Sequence, residues 1–435
     1  MKQLICMLAL TFIQVLTHAQ DKPSYAAANW KLWQLANPQQ IRIAAPPAKP
    51  KTEIQTIKQA MSAVNDKKRE NIRYWNAGAP AYRWNQIIIN MVDEYPESQL
   101  RIPGSWVNLA IYDATVLAWK EKLKYKRKRP HEIDASVVPL VNAPATYAYP
   151  CEHSVTASAA AHVLAYFFPK KADSIMQLAR TAMQSRIEAG VQFPSDTEAG
   201  WKLGEQVALQ IIEKAKHDGS DKQWDGQMNK DPKKWTGKYP LGITLATFTP
   251  QFLQTNNQFR PLPPPDFEKD MQEMRNFKQT FRSNSIAYYW ANTSTNWFEL
   301  AGQKMFEYGI AYDAPTVARI YAVLSTASHE SAIAIMDAKY AYWGIRPNQY
   351  DTSYKPLIST PPFPGYPSGH AAGGATASVV MSYFFPADTK LFQQMAEECA
   401  ESRFYAGIHF RTDNEVGLQL GRNVGKFVVE QWTKQ

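Results

Sequence analysis

The stretch "FPGYPSGHAAGG", Phe363 to Gly374, sets a hydroxyl, a glycine and a histidine at the mouth of a run of small residues. Pro367 and Gly369 suit a tight turn. The helix predicted after them would present free backbone N–H groups and its positive dipole end to an anion. Ser368 adds a hydroxyl, and nothing bulky blocks approach at Gly369. Upstream, "KYAYWGIRP" places Lys339 and Arg346 seven residues apart, about two helical turns, so both cations are expected on one helix face, with Pro347 ending that helix. Downstream, "SRFYAGIHFRTD" supplies a third cation, Arg403, and sets His409 four residues before Asp413. At that spacing a carboxylate can hold the imidazole by one ring nitrogen and leave the other free to bind or attack.

Taken singly, each stretch has an ordinary reading: a solvated cation pair, a serine helix cap, a structural His–Asp hydrogen bond. Together they supply three fixed cations, a hydroxyl, a backbone amide and two histidines, His370 and His409. That set matches a tetrahedral trianion such as phosphate or vanadate, and Arg forks suit its oxygens in particular. The sequence shows no divalent-metal cluster. Glu330 is a candidate carboxylate partner for Arg403.

Such groups need elements that hold them at fixed distances, and the apolar spacing is helical. "PTVARIYAVLSTASHESAIAIMDAKYAYWGI" and "AAGGATASVVMSYFF" repeat apolar residues at three-four steps, while period-two runs are nearly absent. The expected class is all-α. Residues 110–205 also match residues 327–422 at a constant offset of 217. Lys122 falls on Lys339, Arg129-Pro130 on Arg346-Pro347, Tyr149-Pro150 on Tyr366-Pro367, and His153 on His370. Ser185-Arg186 falls on Ser402-Arg403 and Asp196 on Asp413. Chance does not hold one register over that length. The repeats are expected to begin near Arg73 and Ala287, giving two tandem helical bundles packed into one body. The expected organisation is a signal peptide over 1–20, a first bundle over 21–219, a Pro-rich crossover over 220–267, and a catalytic bundle over 268–435.

The first copy is altered where it matters. Cys151-Glu152 stand in place of Ser368-Gly369, and Gln192 in place of His409. A carboxylate in an anion nest repels the ligand, and Gln cannot serve as nucleophile or imidazole ligand. The first site should therefore be inactive. Lys122, Arg129 and Arg186 become helix-surface or structural cations, with Glu152 as a possible partner, and His153 becomes structural. The basic run "KEKLKYKRKRP" reads as a solvated face.

The first twenty residues place one Lys before an apolar run and Ala19 near the end, the pattern of a secretory leader. An exported protein, periplasmic or secreted, follows. No later segment offers about 18 uninterrupted apolar residues, so no membrane span is expected after leader removal. Cys6 would leave with the leader; Cys151 and Cys399 then permit one bridge. The net charge of +9 fits an anionic ligand. Scattered basic residues without a zinc or RNA-binding signature exclude a nucleic-acid partner.

The blocks K-x6-RP, PSGH and SR-x5-H-x3-D, in this order over residues 339–413, resemble the signature of a known superfamily. It joins type 2 phosphatidic-acid phosphatases, bacterial acid phosphatases and vanadium-dependent haloperoxidases. Phe363, five residues before Ser368, and the doubled bundle are most similar to the haloperoxidase branch. The resemblance implies that Lys339, Arg346, Ser368, Gly369 and Arg403 hold vanadate. It also implies that His409 binds its vanadium, and that His370 is the general acid/base when peroxide binds. The substrates would be hydrogen peroxide and a halide. One departure is Met336, where the haloperoxidases carry Trp three residues before the signature Lys; it bears on halide handling and not on oxyanion binding. The alternatives are a phosphomonoesterase working through a phospho-histidine at His409, and a non-catalytic oxyanion binder.

Overall fold

The computed structural model describes residues 25–94 and 101–434, and among these it contains helices, turns and connections but no strand. The expected leader over 1–20 lies outside the described residues. The first half carries α1 (Lys51–Ser62), α2 (Asp66–Trp75), α3 (Pro80–Glu94), α4 (Arg101–Tyr125), α5 (Glu152–Phe167), α6 (Ala172–Glu188) and α7 (Pro194–Ala215). The second carries α8 (Glu268–Asn276), α9 (Phe281–Tyr289), α10 (Thr293–Glu307), α11 (Ala314–Tyr342), α12 (Gly369–Phe384), α13 (Thr389–Tyr405) and α14 (Arg411–Thr433). The halves are two helical bundles in one body. α4 packs on α5 and α7, α11 packs on α12 and α14, and α4 and α11 pack on each other across the junction.

Local sequence explains the tight pairing around each site. The first ten residues of α12 are small apart from His370, and α14 faces it with Gly417 and Gly421. A Cβ at Gly417 would lie 2.6 Å from the Ser368 carbonyl, and one at Gly421 would collide with the Ala372 carbonyl. In the first bundle Gly200 and Gly204 stand against Cys151 and Val155 in the same way. Glycine at these positions lets two backbones meet closer than any side chain allows, which fixes the helix N-terminus carrying the PSGH turn against the helix carrying Asp413.

The backbone repeats in detail. Both Tyr149-Pro150 and Tyr366-Pro367 are cis, and Lys126 and Trp343, 217 residues apart, share a positive φ of 48° and 52°. The correspondence reaches upstream of residues 73 and 287. The backbone N–H groups of Trp33, Gln34 and Leu35 donate to the Asp113 carboxylate, and those of Gln251, Phe252 and Leu253 donate to Glu330. The later part of the crossover thus docks on α11 as the N-terminal arm docks on α4. Residues 220–267 otherwise carry only a 3-10 turn at Ile243–Thr247. Trp432 of α14 seals the seam, with Trp33, Tyr112 and Phe252 at ring distances of 4.6, 4.9 and 5.9 Å. No described helix is long and apolar enough to cross a membrane.

Candidate active site

Lys339 ends up fully buried in the last turn of α11, where its Nζ donates to the Pro364 and Gly365 carbonyls at 2.6 and 2.7 Å. An ammonium has three N–H bonds, so one remains for a ligand. Burial, and next the Arg346 charge, hold its pKa well below the ordinary lysine value. Arg346 is not on the same helix face. α11 stops at Tyr342, Trp343 turns left-handed, and Arg346 lies in extended backbone ahead of the single turn Pro347–Tyr350. The chain reversal, rather than helical periodicity, returns its guanidinium to Lys339. Its Nε donates to the Phe363 carbonyl (3.1 Å) and Nη1 to the Ile408 carbonyl (2.7 Å), while Nη2 is buried without a partner.

Ser368 is the N-cap of α12, its Oγ accepting from the Ala371 N–H at 3.4 Å while its own N–H donates to the Asp413 carbonyl. A Cβ at Gly369 would meet only Ile335 at 3.7 Å and Lys339 at 3.9 Å, so this turn is open toward the lysine. His370 is half-buried, with Nε2 3.3 Å from the Ala291 carbonyl. Arg403, near the end of α13, is anchored by Ser402 Oγ (2.9 Å) and the Ala287 carbonyl (2.6 Å), and burial lowers its pKa. Phe363 covers the cations from one side, its ring centre 5.1 Å from both Lys339 Nζ and the Arg346 guanidinium carbon.

His409 completes the cage. Its Nδ1 lies 3.0 Å from Asp413 Oδ2 and its Nε2 lies 2.9 Å from Arg346 Nη1. Arginine can only donate, so Nε2 carries the lone pair and the proton sits on Nδ1, given to the carboxylate. Burial, then Arg346 and Lys339, push the His409 pKa well below 6.5, which keeps that lone pair available in mild acid. Asp413 also accepts the Phe410 N–H at 3.1 Å, and burial raises its pKa although Lys339 and Arg346 pull the other way. Buried cations with depressed pKa values and an orphaned guanidinium nitrogen are donors in search of an anion.

Two family models match the chain. One describes the PAP2 superfamily and covers residues 105–215; the other describes the second helical-bundle domain of VCPO and covers residues 389–435. Over these two stretches the chain is similar to the PAP2 superfamily and to the second helical bundle of VCPO. Its fold is that of the haloperoxidase branch. The crystal structure of a bacterial vanadium-dependent iodoperoxidase is 20% identical, with TM-score 0.56, over 89% of this chain and 98% of that one. A holo-type bacterial vanadium-dependent chloroperoxidase is 14% identical, with TM-score 0.58, over 78% of this chain and 92% of that one. No curated protein matches by sequence.

Within this haloperoxidase-like fold the structure gathers Lys339, Arg346, Ser368, Gly369, His370, Arg403, His409, Asp413 and Phe363 around one cage. Glu330 is not among them: its carboxylate is taken up by the crossover backbone, and Arg403 is held by a hydroxyl and a carbonyl instead. The basic run of the first bundle is not a solvated face throughout, since Lys122, Arg127 and Arg129 are buried. Arg186 is buried as well, bound to Asn76 and the Ile72 carbonyl, so none of the three first-copy cations lies on a helix surface. Cys151 and Cys399 are both free and buried. The sequence reading missed the carbonyls of Ala287 and Ala291, which line the cage through main-chain atoms that leave no mark on residue type. It also missed Tyr340, whose hydroxyl donates to the Leu241 carbonyl while the Leu241 N–H donates to Pro362, tying the crossover to the Phe363 loop.

Proposed function

We propose that this protein is a vanadium-dependent haloperoxidase-like oxidoreductase that holds vanadate in the second-bundle cage and oxidises halide with hydrogen peroxide. The observation that carries the reading is the orphaned Arg346 Nη2 beside the His409 Nε2 lone pair, inside a doubled bundle of the haloperoxidase kind. Bound vanadate would supply the electrophilic centre that activates peroxide toward halide. Lys339, Arg346 and Arg403 neutralise the oxyanion, and the Ser368 hydroxyl and Gly369 amide add neutral donors. His409 offers Nε2 once Arg346 Nη1 turns from it to the anion, and Asp413 keeps its proton on Nδ1. His370 exchanges protons with peroxide at the mouth, and Phe363 shapes the halide side. The leader-like residues 1–20 support an exported protein, periplasmic or secreted.

Met336 favours a second reading. It stands where the haloperoxidases carry Trp, and its methyl group lies against Gly242 of the crossover. The same cage can run phosphomonoester hydrolysis: His409 attacks phosphorus to form a phospho-histidine, and His370 protonates the leaving alkoxide. A paired assay separates the two. Halide oxidation that requires vanadate and is lost in His409→Ala supports the first reading. Phosphate release without halide turnover would replace it with the second. A variant that binds the anion unchanged, in a protein with neither activity, would leave an anion binder.

A further inference from the structure

The first bundle builds a closely matching cage. Lys122 Nζ donates to the Tyr147 carbonyl at 2.6 Å, as Lys339 does to the corresponding Pro364, while its second carbonyl, Pro150 at 2.8 Å, is two residues out of register with the Gly365 that Lys339 uses. Arg129 Nε donates to the Thr146 carbonyl and Nη1 to the Val191 carbonyl; both carbonyls sit 217 residues before those that Arg346 uses. Arg186 is anchored through Ser185 as Arg403 is through Ser402. Gln192 replaces His409. With its amide oriented so that oxygen faces the arginine, it accepts from Arg129 Nη1 at 2.7 Å and donates to Asp196 Oδ2 at 3.0 Å. The opposite orientation would let the amide nitrogen donate to Glu152 Oε2 at 3.4 Å, but would set it against Arg129 Nη1.

The bundles differ in what satisfies the remaining donors. In the second, Arg346 Nη2 has no partner. In the first, the matching Arg129 Nη2 donates to Thr146 Oγ1 at 2.9 Å and to Glu152 Oε1 at 3.1 Å, and Lys122 Nζ donates to Glu152 Oε2 at 2.8 Å. Against the upward push of burial, Lys122 and Arg129 hold the Glu152 carboxyl well below the usual carboxylate range.

We propose that the first bundle retains a second oxyanion site, of the phosphate class, whose ligand is the chain's own Glu152 carboxylate; removing that side chain opens it. Glu152 then repels nothing: it occupies the place of the anion. The inference rests on the matched cages and not on either enzymatic reading.

The test counts phosphate sites by calorimetric titration of the full chain with inorganic phosphate, after overnight equilibration because Glu152 is only 5% exposed. Glu152→Gly should bind one more phosphate per chain than the parent protein. Its melting temperature should fall without phosphate and recover with it. A folded Glu152→Gly chain with the parent's stoichiometry would overturn the proposal. Should that variant fail to fold, Gly369→Glu reads the same idea in reverse. Its Cβ meets only ordinary contacts, so the new carboxylate should displace phosphate from the second cage and raise the melting temperature. Retained phosphate binding, or a lower melting temperature, would overturn the proposal equally. The proposed chemistry can fail on its own, by absence of turnover in the parent protein, without changing these counts.

Discussion

In the first bundle Asp196 Oδ1 receives Arg127 Nη1 at 2.5 Å, whereas in the second bundle the matching Asp413 Oδ1 is buried without a partner. The residue in register with Arg127 is Gly344, and a Cβ there would lie 2.6 Å from the Tyr366 Cβ, so no side chain fits. Asp413 Oδ1 therefore has no counterpart of the Arg127 ion pair. Asp413 Oδ2 has two donors, the His409 imidazole and the Phe410 amide, while burial raises the pKa of its carboxyl. One bundle has spent its cage on stability, with every donor satisfied from within the chain. The other leaves an acceptor and a donor unmatched, which is how a preorganised site differs from a structural one.

The sharpest way to break this comparison is to exchange the residue proposed to react. His409→Gln imports the amide that the first bundle uses in the same two hydrogen bonds. Phosphate affinity should stay within a few-fold of the parent, while turnover should fall by about 10⁴-fold or more, since the amide has no nucleophilic lone pair. Titration and steady-state rates on one preparation check both halves. Surviving turnover would mean that the bundles do not differ at the residue assigned here.

Asp413→Asn tests the free carboxylate. An amide nitrogen turned toward Nδ1 would move the imidazole proton to Nε2 and aim an N–H at Arg346, removing the lone pair. A rate loss of about 10³-fold is expected with the fold intact, by analogy with tautomer-fixing aspartates. A loss under about tenfold would reduce Asp413 to the role Asp196 has, a cap on α14.

The two arms should prove alike where the two cages differ. Asp113 and Glu330 each gather three backbone N–H groups from a segment docked on a central helix. Asp113→Asn and Glu330→Gln should each cost about 2 kcal/mol, because a neutral amide turns one donor toward donors. Denaturant titration checks the pair, and a severalfold difference would show that the arms are not equivalent.

The cage was legible because its residues sit at fixed short spacings, and the duplication showed where one copy had changed. Glu152 pairing with Lys122 and Arg129 could be anticipated from charge alone. What could not be read depends on chain reversals and main-chain partners. Arg346 reaches Lys339 through a left-handed Trp343, a conformation that a bulky aromatic residue does not advertise. Arg127 looked solvated within a basic run, yet it is buried by Glu53 of α1 and Asp196 of α7, 74 and 69 residues away. Glu330 looked free to serve Arg403 because backbone N–H groups, its actual partners, carry no sequence signature.

An effect as small as that of the arms concerns a further position outside both cages. His329 of α11 is fully buried with neither ring nitrogen hydrogen-bonded, and burial lowers its pKa to about 4. In register with it on α4 is Tyr112, whose hydroxyl reaches the Lys31 carbonyl of the N-terminal arm. The second bundle thus holds an imidazole that must stay neutral where the first holds a phenol with a partner. A folded-state pKa depressed below the unfolded 6.5 contributes stability that is present above pH 6.5 and is lost as pH falls toward 4. At pH 5 this amounts to about 2 kcal/mol. His329→Leu should therefore stabilise the protein by about 2 kcal/mol more at pH 5 than at pH 8, relative to the parent, while Tyr112→Phe should cost the same at both. Equal effects of His329→Leu at the two pH values would show that the imidazole is solvated or paired in solution, and that the two helices differ less than their side chains suggest.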